Sequence, residues 1–112
     1  MDRIKSYQNI IKEALKTHAS YRSSDMPDID NQLIINEKGS QFVMIVSGWY
    51  RKEYIHNIVF HIEVKEEKVW IYEDLTDVGI ANELIEKGIP ESDIFLAYNQ
   101  PYSSNYSRAK VA

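Results

Sequence analysis

The sequence predicts an α+β fold: an N-terminal helix, an antiparallel four-stranded meander, a second helix and a short C-terminal strand or tail. Three observations predict it. Apolar residues recur at helical spacing over residues 2–20. From Gln32 to Glu73 the period drops to two, broken only by short polar turns. After Asp74 the helical spacing returns.

In the opening helix, Ile4, Tyr7, Ile11, Ala14, Leu15 and His18 fall on one face. Asp2 is placed to cap its start, and the polar run 21–31 with Pro27 ends it. The strands then read Gln32–Asn36, Gln41–Tyr50, Tyr54–Val64 and Val69–Glu73. The turns between them are Glu37-Lys38-Gly39-Ser40, Arg51-Lys52-Glu53 and Lys65-Glu66-Glu67-Lys68. Gly39 is free to take a positive φ in the first. Connections this short require antiparallel neighbours. On the third strand, alternation sets Ile58, Phe60, Ile62 and Val64 on one face. Thr76 or Asp77 is the expected N-cap of the second helix. Val78, Ala81, Leu84 and Ile85 form its stripe, and Gly88 stops it. Ile94–Tyr98 is a brief apolar segment before a tail rich in Ser, Asn and Tyr.

The two middle strands are apolar on both faces, so a single helix layer would leave one apolar face uncovered. That face calls for helices, the tail or a second copy of the chain.

A chain of 112 residues is expected to form one domain, spanning residues 1–112. It contains no cysteine, which removes disulfides, thiolate metal sites and cysteine nucleophiles together. No segment approaches the roughly 20 apolar residues of a membrane span, and no leader is evident, so a cytoplasmic protein is expected. Net charge is −4. Both ends are basic and the middle is acidic, which disfavours broad electrostatic attraction to nucleic acid. An acidic body suits a basic protein partner or simple solubility.

No constellation argues for catalysis. His56 and His61 share a strand at an odd separation, which on regular alternation sets them on opposite faces. Glu63, Glu66, Glu67, Glu73 and Asp74 cluster around a hairpin turn, where carboxylates are ordinarily solvated. The four glycines are dispersed and make no phosphate-binding loop. No cofactor or metal is expected. Trp49 and Trp70 read as core or interface residues rather than as a base-stacking platform.

The blocks taken in order carry a resemblance. They are Tyr7 with Ile10-Ile11, Asp30-Asn31-Gln32-Leu33-Ile34 and the strand ending Gly48-Trp49. The hairpin Val59-Phe60-His61-Ile62-Glu63-Val64-Lys65 with Lys68-Val69-Trp70-Ile71 follows. Then come Thr76-Asp77-Val78-Gly79-Ile80-Ala81-Asn82-Glu83-Leu84, Gly88-Ile89-Pro90 and Asp93-Ile94. Together they resemble the XisI family, the cyanobacterial fdxN element excision controlling factors, over nearly the whole chain. The resemblance implies a non-catalytic regulator of DNA element excision during differentiation of nitrogen-fixing cells. It implies an XisH-like protein as partner and a site-specific recombinase as the enzyme controlled. It leaves open direct DNA binding as a recombinase accessory factor, or restraint of a nuclease-like XisH partner. The tail departs from the family. Members share a His-Pro-Pro segment there, whereas this chain has Asn99-Gln100-Pro101-Tyr102-Ser103-Ser104.

The residues expected to meet a partner are Trp49, Tyr50, Trp70, Tyr98, Pro101, Tyr102 and Tyr106. Tyrosine and tryptophan are favoured at interfaces because they join large apolar area to one polar group.

Overall fold

The computed structural model describes residues 3–21, 24–76 and 79–98. Helix α1 spans Arg3–Ser20 and buries Tyr7, Ile11, Ala14 and Leu15 of the stripe read from its spacing, with Ile4 and His18 half-buried at its ends. Strands β1 (Ile29–Ile35), β2 (Gln41–Tyr50), β3 (Glu53–Lys65) and β4 (Lys68–Asp74) follow, each pairing antiparallel with the next. β1 starts three residues before the expected strand, so that it matches the outer part of β2 as far as Gly48.

Helix α2 spans Ile80–Glu86, and a single 3-10 turn at Glu91–Asp93 leads into β5 (Ile94–Leu96). β5 is a real strand, and it lies parallel to β4. A parallel neighbour needs a long crossover connection, and α2 supplies it. The four-stranded antiparallel meander is present as read, and β5, the short C-terminal strand, extends it into a mixed five-stranded sheet in the order β1-β2-β3-β4-β5.

Both helices pack on one face of this sheet. Ile11 and Leu15 of α1 and Ile80 and Leu84 of α2 join Phe42, Met44, Phe60, Ile62, Val69 and Ile71 in one buried cluster. A hydrogen bond of 2.8 Å between His18 Nε2 and Glu83 Oε1 ties the two helices together. The start of α2 differs from the sequence reading. Its N-cap position is Gly79, and the capping acceptor is Asp74, whose Oδ2 accepts from Ile80 N–H at 2.6 Å. Asp74 Oδ1 accepts from the Thr76 hydroxyl, which in turn accepts from Gly79 N–H. Thr76 thus serves one step removed, and Asp77 and Val78 lie outside the described residues, as does Asp2.

Two bulges reset the alternation. Between β2 and β3, Met44 faces Phe60 but Ile45 faces Ile58, so Val59 is the extra residue. Between β3 and β4 a second shift leaves Tyr72 as the extra residue of β4. The first bulge moves Ile58 off the face of Phe60, Ile62 and Val64, contrary to simple alternation, and Ile58 is exposed. It also moves His56. His56 faces Ser47 and His61 faces Val43, two residues of one face of β2, so both histidines share a face. They still sit two steps apart along the strand, with Ile58 between, too far to hold one ion.

The β3–β4 turn carries backbone strain. Glu66 and Glu67 both have positive φ, 57° and 61°, the conformation of a two-residue turn that favours Asn-Gly. Replacing the pair by Glu66→Asn/Glu67→Gly is expected to raise stability by about 1 kcal/mol, read in chemical denaturation. The exchange gives up a 3.4 Å ion pair from Arg3 to Glu67, which is solvent-exposed on both sides and so contributes little.

Candidate protein-binding surface

The face opposite the helices is built in cross-strand rows. Trp49 lies beside Tyr54. The next row runs Asp30, Ser47, His56, and the one after it Gln32, Ile45, Ile58. Then come Ile34, Val43, His61 and Glu73, and last Gln41, Glu63, Trp70 and Phe95. The centre is aliphatic, because β2 and β3 carry β-branched residues on both faces. The two ends are aromatic. Trp49 and Tyr54 meet at 5.3 Å between ring centres, with His56 stacked beyond Tyr54. Trp70 stacks on Phe95 at 4.8 Å. Trp49, Tyr54, Ile34 and Ile58 are 58%, 57%, 50% and 44% exposed, so the band is open to solvent rather than covered.

Polar groups in the band are held by one another. Tyr72 donates to Glu63 at 2.7 Å, and His61 Nε2 donates to Gln41 Oε1 at 3.0 Å, its ring 4.9 Å from that of Tyr72. Burial, reinforced by the bond to Glu63, pushes the Tyr72 phenol up to about 12. A phenol that stays protonated and donates to Glu63 is a structural donor near neutral pH rather than a base. His61 and Glu63 lie on the same open face, each already held by a hydrogen bond. Among the described residues no group of three His, Asp or Glu side chains is placed to hold a metal ion.

The residues expected to meet a partner are scattered by the structure. Trp49 and Trp70 share the open face, yet they stand at opposite ends of it, roughly 25 Å apart at about 3.3 Å per strand residue. They are not on neighbouring strands, since β3 separates them. Trp49 is fully presented. Trp70 is half-buried, and its indole Nε1 is buried without a hydrogen-bond partner among the described residues, with Lys65 Nζ 5.3 Å from its ring centre. Tyr50 points to the helix side, with the Arg51 guanidinium over its ring. Tyr98 is half exposed just past β5, and partial burial and the nearby Asp74 and Glu73 charges push its phenol up. Pro101, Tyr102 and Tyr106 lie outside the described residues.

Sequence reasoning does not single out Tyr54, Ile58 or Ile34. Tyr54 could have been found from its place next to a two-residue turn opposite Trp49. Ile58 could not, because its face depends on the bulge. On the helix side, an apolar cavity of about 360 Å³ opens beyond the end of α1, lined by Tyr21, Met26, Ile29, Asn31, Val46 and Ile55. No helix of the described residues is long and apolar enough to cross a membrane.

A mixed sheet with both helices on one side and an aromatic-ended apolar band on the other defines a small α+β protein built around a presented sheet face. Similarity to known proteins places it more narrowly. The model of the XisI protein family matches residues 1–111, and the chain belongs to that family. The crystal structure of a XisI-like protein from Anabaena variabilis is 33% identical, with a TM-score of 0.80 over 92% of this chain and 94% of that one. The crystal structure of the fdxN element excision controlling factor XisI from the same organism is 31% identical, with a TM-score of 0.74 over 92% and 99%. No curated protein matches the chain.

Proposed function

We propose that this protein is a non-catalytic regulator that docks through the open sheet face onto an XisH-like protein, and that the pair controls excision of a DNA element by a site-specific recombinase. The supporting observation is the open band in which Trp49, Tyr54, Ile58 and Ile34 are exposed, with Ile45 half-buried among them and one polar row, Asp30, Ser47 and His56, crossing it. A contiguous apolar patch on a solvated protein marks an interaction site, and exposed Trp and Tyr are the residues that carry binding energy there. The band has few charges, so the docking it supports is mainly apolar and resists salt.

The test is co-purification with the XisH-like protein encoded nearest to it, at about 0.15 M and then about 0.5 M salt. A complex that survives both is expected. Trp49→Ala, at a 58% exposed position, is expected to leave melting within about 3 °C and weaken the complex at least tenfold. Trp70→Ala, which unstacks Phe95, is expected to lower stability as well. Failure of the folded chain to bind, with DNA binding that falls steeply with salt, would replace this reading by that of a DNA-binding accessory factor.

A further inference from the structure

The outer edge of β1 is open from Asn31 to Ile35, while at its start the loop before it holds Ile29 N–H through Met26 O at 3.2 Å. β1 pairs with β2 alone, and no further strand lies beyond it among the described residues. Its seven residues, Ile29-Asp30-Asn31-Gln32-Leu33-Ile34-Ile35, run in unbroken register with β2 from Ile29–Gly48 to Ile35–Phe42. The bulges of this sheet fall in the β2–β3 and β3–β4 pairs. Edges are ordinarily protected by a bulge, an inserted Pro or Lys, or extreme shortness. The other edge, β5, has only three residues. β1 has only one charge, Asp30, and the Met26 contact at its first residue; beyond these it is long, regular and apolar at four of seven positions.

We propose that two copies of this chain pair antiparallel through their β1 edges about a two-fold axis at Gln32, making one continuous ten-stranded sheet. The self-pairing follows from the strand's own pattern. Antiparallel partners must show the same face, so only registers pairing residues of equal parity are allowed. Of these, the register centred on Gln32 overlaps all seven residues, with the Ile29 N–H at each end of the seam already held by Met26 O. It places Ile29 against Ile35 of the other copy on the helix side, with Asn31 against Leu33. On the open side Asp30 meets Ile34, and Gln32 meets itself. No like charges oppose each other, and the sole charge of the strand, Asp30, faces an apolar residue. The arrangement joins the two open faces side by side, so an apolar band of twice the width is presented in one plane.

The test uses the position on the axis. Gln32 is exposed, so a charge there leaves the monomer folded, checked by melting. Two lysines or two glutamates directly opposite across a strand pair repel, whereas one of each attracts. In analytical ultracentrifugation from about 5 to 200 µM, the unmodified chain is expected to dimerise. Gln32→Lys and Gln32→Glu are each expected to dimerise at least tenfold more weakly, and an equimolar mixture of the two to recover the dimer. A chain monomeric throughout, or a dimer indifferent to both charges and to mixing, overturns the proposal. Neither result bears on docking through Trp49, which is read separately in the co-purification.

Discussion

Replacing Gly48 with alanine is expected to lower stability by about 3–4 kcal/mol and the melting temperature by roughly 15 °C. Gly48 sits in β2 at φ 143°, a region closed to residues with a Cβ. A Cβ there would also lie 2.2 Å from the Asp28 carbonyl oxygen and 3.1 Å from Ile29 Cα. Both neighbours are backbone, so no side chain can swing away to make room. The chain must either push the start of β1 off β2, losing the Ile29–Gly48 pairing, or strain β2 itself. Either route opens the apolar cavity beside Ile29 and Ile55. Thermal unfolding followed by circular dichroism measures the effect. A fall of less than about 3 °C would show that the Asp28–Gly48 approach does not constrain the fold.

Asp93→Ala carries the second large effect, about 2–3 kcal/mol. Asp93 is buried at 8% exposure, in the 3-10 turn before β5. Its Oδ2 accepts a short hydrogen bond from the Tyr7 hydroxyl of α1, and its Oδ1 lies 3.5 Å from Lys68 Nζ of β4. One carboxylate thus ties the first helix, the fourth strand and the last strand together. Removing it leaves the Tyr7 hydroxyl, 4% exposed, without this acceptor. Burial and the bond to Asp93 push the Tyr7 phenol up to about 12, so it remains the donor.

The pH dependence follows from the carboxylate. The Tyr7 hydrogen bond, aided by the Lys68 charge, outweighs the opposing effect of burial and holds Asp93 below the ordinary carboxylate range. A depressed folded-state pKa means that the unfolded chain binds the proton more readily. The stabilisation is therefore complete above the unfolded value of about 3.9 and is lost as pH falls through the folded value. Asp93→Asn keeps an acceptor for Tyr7 but has no proton to bind there. Its urea midpoint is expected to lie below that of the unmodified chain at pH 7, and the gap to close toward pH 2–3. An Asn variant with the same acid sensitivity as the original would show that other carboxylates set it.

The helical stripe of α1 was legible because Tyr7, Ile11, Ala14 and Leu15 repeat at the period that one buried helix face demands. The limits of β2 were legible for a similar reason: a largely apolar run between two short polar turns has nowhere else to begin or end. The family could be recognised from ordered blocks spread along the chain, and its model covers nearly all of it. The site was less legible. Sequence reasoning expected aromatics as the contact residues but could not say which of them share a face.

What the sequence determined by itself was whatever depends on near neighbours: helix against strand, tight antiparallel turns, and an excess of apolar positions that one helix layer could not cover. The tertiary structure decided what depends on residues far apart. Val59 becomes an extra residue only when β3 is laid against β2, and that one step sends Ile58 outward and sets both histidines on one face. Ile94–Leu96 becomes a parallel strand only because β4 offers an unpaired edge and α2 carries the chain back to it. Asp93 is an anchor only because Tyr7, 86 positions earlier, arrives above it. Strand alternation and helix stripes are set within a few residues of chain. Register, sheet order and the partner of a buried charge are set by which surfaces meet, and a one-dimensional pattern does not carry that information.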